Sequence, residues 1–350
     1  MSEQERPQPA SQPAPSPADE PQPPQPAEPG PRRGLSRMIV PSIVLGAVVL
    51  LVMAVYADGP ELLAALRSFR IEYLYLALAL ASLNYVIRFL RWHYYLRESA
   101  QHVPLRTSAS VFFTGLAMSV TPGKVGEVVK CFLLRDRAGV SMSVSMPIVV
   151  TERLADLAAV AVLLSAGAMH YRSGRPVFWA GMATVVAVWL VLTFSPKAVH
   201  AVEQFASRFL FKGRVLGSPG EAAETFQRLL TGSRLLVGLV LGVLAWIMEC
   251  AALFVVLHGF GVTSVSMFNA TFAYALATRA GALAMLPGGL GVTEGSLTAA
   301  LLVFGVARTT AAAATLVVRA ATLWFAVAVG LAFYVATRAA TDKALAEAQE

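Results

Sequence analysis

The sequence predicts an all-α, polytopic integral membrane protein, and three observations support this class. Of the 350 residues, 56% are hydrophobic and only 14% are charged, whereas about a quarter of the residues in a soluble domain are charged. Several segments of about 20 residues are nearly free of charge, which is the length that crosses roughly 30 Å of hydrocarbon. Two further apolar regions are interrupted by Pro-Gly breaks. We therefore expect about six spanning helices and two broken hairpins.

The first expected span begins at Met38 and lacks a small-residue cleavage site, so we interpret it as a retained span and not as a signal peptide. Two later spans each contain one arginine, Arg88 in the second span and Arg319 in the last. The expected spans are Met38–Ala57, Tyr73–Leu90, Pro147–Met169, Pro176–Phe194, Leu235–His258 and Ala311–Thr337.

The chain divides into a tail, a membrane domain and a short second tail. Residues 1–34 contain most of the prolines and are expected to form a disordered cytoplasmic tail, with a peptide ligand for a partner as the alternative. The transmembrane domain is expected over residues 35–340, and a short cytoplasmic tail over residues 341–350. Basic residues mark the cytoplasmic side, and they concentrate before the first span and between Lys197 and Arg234. We therefore expect a multi-pass protein of the cell inner (plasma) membrane with both termini cytoplasmic, and we attribute the net charge of +7 to this orientation and not to nucleic acid.

Two regions do not have the pattern of ordinary spans. Ser108–Arg135 is broken at residues 121–123, and each arm has about 12–14 residues, or roughly 18–21 Å of helix. We expect a re-entrant hairpin here, because non-helical backbone at membrane depth needs surrounding protein or water. Met267–Val306 is broken at Pro287–Gly291 and has longer arms, so it forms either a hairpin or two spans. The chain has eight spans if both hairpins cross.

The two broken regions resemble each other. The motif Pro-Gly-x-x-Gly occurs at residues 122–126 and again at residues 287–291. Arg153 follows the first proline by 31 residues and Arg319 follows the second by 32, each inside the next apolar helix. Counting the expected spans that precede each break places the opening of the first break on the cytoplasmic face and that of the second on the outer face. This pattern is typical of inverted-repeat transporters, in which the substrate site lies near the midplane at the repeat interface.

Three charged residues accompany the first break. Lys124 lies in the break beside backbone amides that Pro122 and Gly123 leave free, and the following helix directs its positive end there. Glu127 and Lys130 share a helix face and can pair. We interpret this group as an anion site suited to a phosphate. The alternative is a kinked helix whose lysine reaches the cytoplasmic surface.

A second charged group lies in the span that follows. Glu152, Arg153 and Asp156 fall within five residues, and one unpaired charge at mid-bilayer costs about 2.5–3.5 kcal/mol. We therefore expect these side chains to face one another or a wet cavity. A salt-bridge cluster that fixes helix packing is compatible with this interpretation. Glu152 and Asp156 are also candidates for proton coupling.

The second half carries fewer charges. Glu294 lies just after the second break, and Arg319 repeats the position of the first-half arginine, so we favour a functional role for both. Arg279 and Glu249 also lie inside apolar segments. For these two residues, packing or snorkelling explains the charge equally well.

A basic and aromatic group ends the second span. Arg88, Arg91 and Trp92 are spaced as Arg-x-x-Arg-Trp. The simplest interpretation is an interfacial anchor with Trp92 at headgroup level. Contact with a lipid headgroup is the alternative.

Enzyme motifs are absent from the sequence. It contains no glycine-rich phosphate loop ending in Lys-Ser/Thr, no HExxH and no Gly-x-Ser-x-Gly. The five histidines are scattered, and Cys131 and Cys250 lie far apart. We therefore expect no catalytic residue, no cofactor and no metal site.

Four strings together resemble the lysylphosphatidylglycerol synthase transmembrane (flippase-like) family: RFLRWHYYL, TPGKVGEVVKCFLLRDRAG, TERLADLAAV and LPGGLGVTEGSLTAALLVFGV with a later arginine. The resemblance covers roughly residues 35–340. It implies the movement of aminoacylated phospholipids or lipid-linked precursors between leaflets. Some members carry a soluble aminoacyltransferase domain, which the short tail TDKALAEAQE does not lead us to expect here.

These observations predict a protein that binds and translocates a polar phospholipid or lipid-linked precursor. The alternative is a non-transporting subunit that presents such a lipid to a separate membrane or cytoplasmic transferase, and a transferase within the membrane is least favoured. Pro122 and Pro287 are expected to be structural breaks. The expected substrate-binding residues are Arg88, Arg91, Thr121, Gly123, Lys124, Gly126, Glu127, Lys130, Glu152, Arg153, Asp156, Gly288, Gly291, Glu294 and Arg319.

Overall fold

A computed structural model describes residues 59–121, 127–168, 175–205 and 219–347, together with the single helical positions Val48, Leu51, Val52 and Val55. Regular structure in these ranges is helical, which confirms the all-α polytopic class. The tail 1–34 and most of the expected first span lie outside the described residues. The helices are α1 Gly59–Ser68, α2 Ile71–Glu98, α3 Leu105–Gly115, α4 Val128–Ala138, α5 Met142–Ala168, α6 Arg175–Phe194, α7 Pro196–Phe205, α8 Pro219–Leu229, α9 Gly232–Gly259, α10 Met267–Leu283, α11 Val292–Val303, α12 Arg308–Arg319 and α13 Phe325–Glu347.

Three helices of the described chain are long and apolar enough to cross a membrane. They are α2 and α9, with 28 residues each, and the continuous helix Arg308–Arg338, with 31 residues. This last helix contains a π-helical turn at Ala320–Trp324 between α12 and α13. Helices α2 and α9 pack along each other. Asn84 of α2 donates a buried hydrogen bond of 2.7 Å to the carbonyl of Ala245 in α9, which ties the two spans together.

Helix α5 carries the charged triad of the first half. It has 27 residues and starts at Met142, five residues before the expected start at Pro147. Pro147 therefore lies inside α5, at its sixth residue, where it supplies no amide proton to the helix. Helix α6 then bends by 103° at the junction with α7, where Pro196 begins the next helix. Helices α7 and α8 occupy most of the described part of the expected basic loop.

Each broken region forms a pair of short helices. Helix α3, extended by the 3-10 turn Leu116–Met118, packs on α4, and α10 packs on α11. The longest of these arms, α10, has 17 residues, or about 26 Å of helix. Each described arm is therefore shorter than the roughly 30 Å hydrocarbon layer, and the choice between a hairpin and two spans for the second region stays a prediction. Residues 122–126, which hold the first break itself, lie outside the described residues.

The close approach of α13 to the first hairpin depends on one glycine. A Cβ atom at Gly330 would overlap the backbone nitrogen of Ala117 in the 3-10 turn. We expect Gly330→Ala to lower the free energy of unfolding by about 1–3 kcal/mol, because both backbones must separate. Gly295 in α11 has open space around its Cβ position, so Gly295→Ala should stabilise the helix by about 0.5–1 kcal/mol. Thermal unfolding in detergent checks both, and a Gly330→Ala variant as stable as the wild type would contradict this packing.

Candidate functional site

The two hairpins line one cavity of about 270 Å³. Thr121 stands at the edge of the first break, and Gly288 and Gly289 belong to the second, so both breaks contribute to its wall. Apolar pockets with a few converging polar groups are the usual form of a ligand site. The charged residues of this wall are the cations Arg88, Lys130, Arg153, Arg279 and Arg319 and the carboxylates Glu127, Glu152, Asp156 and Glu249.

Asp156 is the centre of an ion-pair network on the first-half side. Its carboxylate lies 2.8 Å from Arg91 Nη2, 3.2 Å from Arg153 Nη2 and 3.4 Å from Arg88 Nη2. The side chain of Arg91 is completely buried. Because Asp156 holds three guanidinium groups from two helices, it fixes the position of α2 against α5.

Glu152 and Lys130 extend this network to the first hairpin. Lys130 Nζ lies 3.0 Å from Glu152 Oε2 and 3.8 Å from Glu127 Oε2, so the expected Glu127–Lys130 contact is the longer of the two. Glu127 in turn lies 2.9 Å from Arg153. The Lys130 ammonium also sits 4.5 Å from the centre of the Trp92 ring, a cation–π contact that favours its burial.

The second break is held by a buried ion pair. Arg319 Nε donates to Glu294 Oε1 at 2.6 Å, and Arg319 Nη2 donates to the carbonyl of Gly288 at 2.7 Å. The other Glu294 oxygen accepts from the amide of Gly291 at 2.7 Å. The φ angles of Gly288 and Gly291 are 59° and 84°, a region that favours glycine. The Arg319–Glu294 ion pair therefore joins the turn of the second break to the start of α11 and the end of α12.

The structure places the predicted residues in three groups. Arg88, Thr121, Glu127, Lys130, Glu152, Arg153, Asp156, Gly288 and Arg319 line the cavity. Arg91, Gly291 and Glu294 support that wall from behind, through the contacts given above. Pro122, Gly123, Lys124 and Gly126 lie outside the described residues, so the expected anion site at the first break stays a prediction. Pro287 begins the turn of the second break.

The interpretation of Arg91 and Trp92 as an interfacial anchor is wrong. Both side chains are completely buried. Arg91 faces α9, where a Cβ atom at Gly242 would lie 2.9 Å from its Nη1 atom. Which side of a helix faces the protein depends on its neighbours, and hydropathy alone does not report that rotation.

Two charged residues of the wall are missing from the predicted site. Arg279 of α10 lies 5.0 Å from the centre of the Trp246 ring, and its Nη2 atom is 3.4 Å from the backbone carbonyl of Asp156. Glu249 of α9 accepts a hydrogen bond of 3.0 Å from the hydroxyl of Tyr274. A charge inside an apolar helix was the available signal, but the sequence did not separate these two residues from packing or snorkelling side chains.

Comparison with known proteins gives a consistent match. The family model described as the lysylphosphatidylglycerol synthase TM region matches residues 39–330. One relative, a UPF0104 membrane protein of Methanothermobacter thermautotrophicus, is 28% identical over 316 residues, covering 83% of this chain and 93% of the relative. A second UPF0104 membrane protein of the same organism is 25% identical over 264 residues, covering 71% of this chain and 78% of the relative.

Proposed function

Since the chain belongs to the lysylphosphatidylglycerol synthase transmembrane-region family, we propose that it binds the phosphate-bearing headgroup of a phospholipid or lipid-linked precursor in the cavity and carries it between leaflets. It acts as a carrier and not as an enzyme. We place it in the plasma membrane, and the distribution of basic residues supports an orientation with both termini cytoplasmic.

The main support for this proposal is the environment of Arg279. The other four cations of the wall each lie within 3.4 Å of a carboxylate. For Arg279, in contrast, no carboxylate oxygen in the described ranges lies within 4.0 Å. A cation at membrane depth requires a counter-charge or water. An anionic ligand in the cavity supplies that counter-charge.

The charge balance of the cavity fits the same ligand. Among the described residues, five cations and four carboxylates line its wall. Their sum is one net positive charge, and Arg279, the cation without a carboxylate within 4.0 Å in the described ranges, lies beside the ring of Trp246. A phosphate diester carries one negative charge, and arginine recognises it through paired N–H donors. The headgroup can therefore cross in a polar environment while its acyl chains remain in the lipid.

Reconstitution into liposomes tests the proposal. Vesicles that contain the protein and traces of headgroup-labelled phospholipids, aminoacylated ones included, should exchange label between leaflets faster than empty vesicles. Equal rates in protein-containing and empty vesicles for all these lipids would refute transport. Lipid that co-purifies with the protein without any exchange would instead favour a subunit that presents its lipid to a separate transferase.

We expect Arg279→Gln to slow this exchange about tenfold to a hundredfold, because a hydrogen bond to a charged group contributes about 1.5–3 kcal/mol. The matched control is Arg70→Gln. The Arg70 side chain is 63% exposed, pairs with exposed Glu72 at 3.7 Å and lies 5.0 Å from the centre of the Tyr73 ring, and it is not part of the cavity wall. Similar rates of lipid exchange for Arg279→Gln and Arg70→Gln would show that Arg279 does not contribute to the site.

A further inference from the structure

The exposed part of the cavity wall is apolar. Among the described residues that line the cavity, the exposed ones are Leu157, Ala282, Met285 and Leu286. The side chains of Leu157 and Met285 stand out most, since these residues are 53% and 64% exposed. The charged residues of the wall, in contrast, are all buried or half-buried. The four exposed residues therefore form an apolar mouth, and the polar groups of the cavity lie farther inside.

Two packed elements form this mouth. Leu157 lies near the middle of α5, which at 27 residues is long enough to cross the hydrocarbon layer. The other three residues lie at the end of α10 and in the turn that follows it, and α10 packs on α5. An opening into water would place polar side chains at the rim. A rim of apolar side chains beside the middle of a long helix fits hydrocarbon instead.

Arg279 lies immediately inside the mouth. It precedes Ala282 by three residues, so the two residues share a face of α10. Its Nη2 atom is 3.4 Å from the backbone carbonyl of Asp156, the residue before Leu157. An anion bound by Arg279 is therefore next to the apolar rim. This is the arrangement that a lipid phosphate and its acyl chains require.

The size of the cavity gives an independent reason for an apolar exit. Its volume of about 270 Å³ is below the roughly 300–1,000 Å³ of pockets that enclose a drug-sized ligand. A phospholipid headgroup fits this space, but two acyl chains do not. The chains of a bound lipid must therefore leave the cavity through its mouth.

The backbone at the mouth is strained. Met285 has a φ angle of 54°, in the left-handed region that is unfavourable for a residue with a long side chain. Such strain is concentrated at ligand clamps and switch regions. The unbranched methionine side chain also adapts to irregular apolar partners. Both properties suit a residue that contacts acyl chains.

We propose that the mouth formed by Leu157, Ala282, Met285 and Leu286 opens sideways into the bilayer and holds the acyl chains of the lipid whose phosphate contacts Arg279. This inference rests on the proposed function. It defines the ligand as a membrane lipid that enters from the hydrocarbon layer, and not as a soluble phosphate compound that enters from water.

Spin labels at the mouth test its surroundings without a transport measurement. Leu157→Cys and Met285→Cys, each carrying a nitroxide in lipid nanodiscs, should collide often with oxygen, which concentrates in hydrocarbon, and rarely with a water-soluble nickel chelate. The unsubstituted protein gives the background, because Cys131 and Cys250 are buried. A label at Glu224→Cys provides the reference for water, since the Glu224 side chain is 70% exposed. Mouth labels that collide with the chelate as often as the Glu224→Cys label would overturn the proposal and favour entry of a soluble compound from water.

Obstruction of the mouth tests its role in lipid exchange. Leu157→Trp and Met285→Trp should each slow the exchange of a labelled phospholipid about fivefold to a hundredfold, because the larger side chain overfills the opening. The matched control is Leu283→Trp, which should exchange at the wild-type rate. Leu283 belongs to the same arm and is 84% exposed, but it does not line the cavity.

Equal exchange rates in the wild type and all three tryptophan variants would contradict the proposal. Thermal unfolding of each variant in detergent identifies a rate that falls because the variant is misfolded. If Met285→Trp does not fold, Leu157→Trp and the two spin labels decide the question.

The two measurements separate this inference from the proposed function. Mouth labels that collide with oxygen, together with no lipid exchange by the wild type, would refute transport and leave the opening of the mouth into the bilayer. Lipid exchange by the wild type, together with mouth labels that collide with the chelate, would refute that opening and leave transport.

Discussion

Asp156→Asn is expected to lower the free energy of unfolding by about 3–5 kcal/mol, the cost of breaking a buried ion pair by removing one partner. The variant keeps the shape of the side chain but removes the charge that holds Arg91, Arg153 and Arg88 at 2.8, 3.2 and 3.4 Å. Among the described residues, the ion pair that Arg91 would retain is the longer contact of 3.9 Å to Glu152. Denaturant titration in mixed micelles measures the loss.

The matched control is Asp136→Asn. Asp136 pairs with Arg135 at 3.5 Å on the surface, where its side chain is 57% exposed, so its loss should stay below about 1 kcal/mol. The double variant Arg91→Met/Asp156→Asn should be less unstable than the sum of its single variants, because the two side chains interact. Additive effects would mean that the two charges do not form a pair.

The second large effect is expected at the other break. Arg319→Met should lower stability by about 3–5 kcal/mol, because it leaves Glu294 buried without its counter-charge and frees the carbonyl of Gly288. It should also slow lipid exchange, since the turn it holds lines the cavity. The same titration and the liposome measurement check the two effects.

Replacing both Arg319 and Glu294 distinguishes the effect of the ion pair on stability from its effect on lipid exchange. The variant Arg319→Met/Glu294→Met should recover part of the lost stability, because no buried charge is left unpaired. It should not recover exchange, because the turn loses its contacts to Gly288 and Gly291. The control Arg67→Met changes an exposed arginine of α1 and should be neutral. A double variant less stable than Arg319→Met alone would contradict this account.

Most of the helical architecture could be predicted from the sequence. The apolar lengths of α2 and α9 and the second Pro-Gly break follow from composition and from the backbone limits of proline and glycine. The grouping of Glu152 with Asp156 follows from the helical period.

The pairing between helices could not be predicted. Arg91 and Asp156 are 65 residues apart, and their contact depends on how α2 is rotated against α5 and α9. Gly242 permits that contact because it has no Cβ atom in the path of Arg91. For the same reason the sequence did not separate Arg279 and Glu249 from packing residues, since both depend on which side of a helix faces the cavity.

Photo-crosslinking tests the central claim, that the cavity holds the lipid headgroup. A phospholipid with a photoreactive headgroup should label the peptides that carry Trp246 and Arg279, and the label should decrease in Arg279→Gln. The same lipid with the reactive group on its acyl chain should instead label exposed apolar positions such as Trp179 and Phe194. A headgroup probe that labels only these exposed positions, and equally in the wild type and Arg279→Gln, would contradict the account.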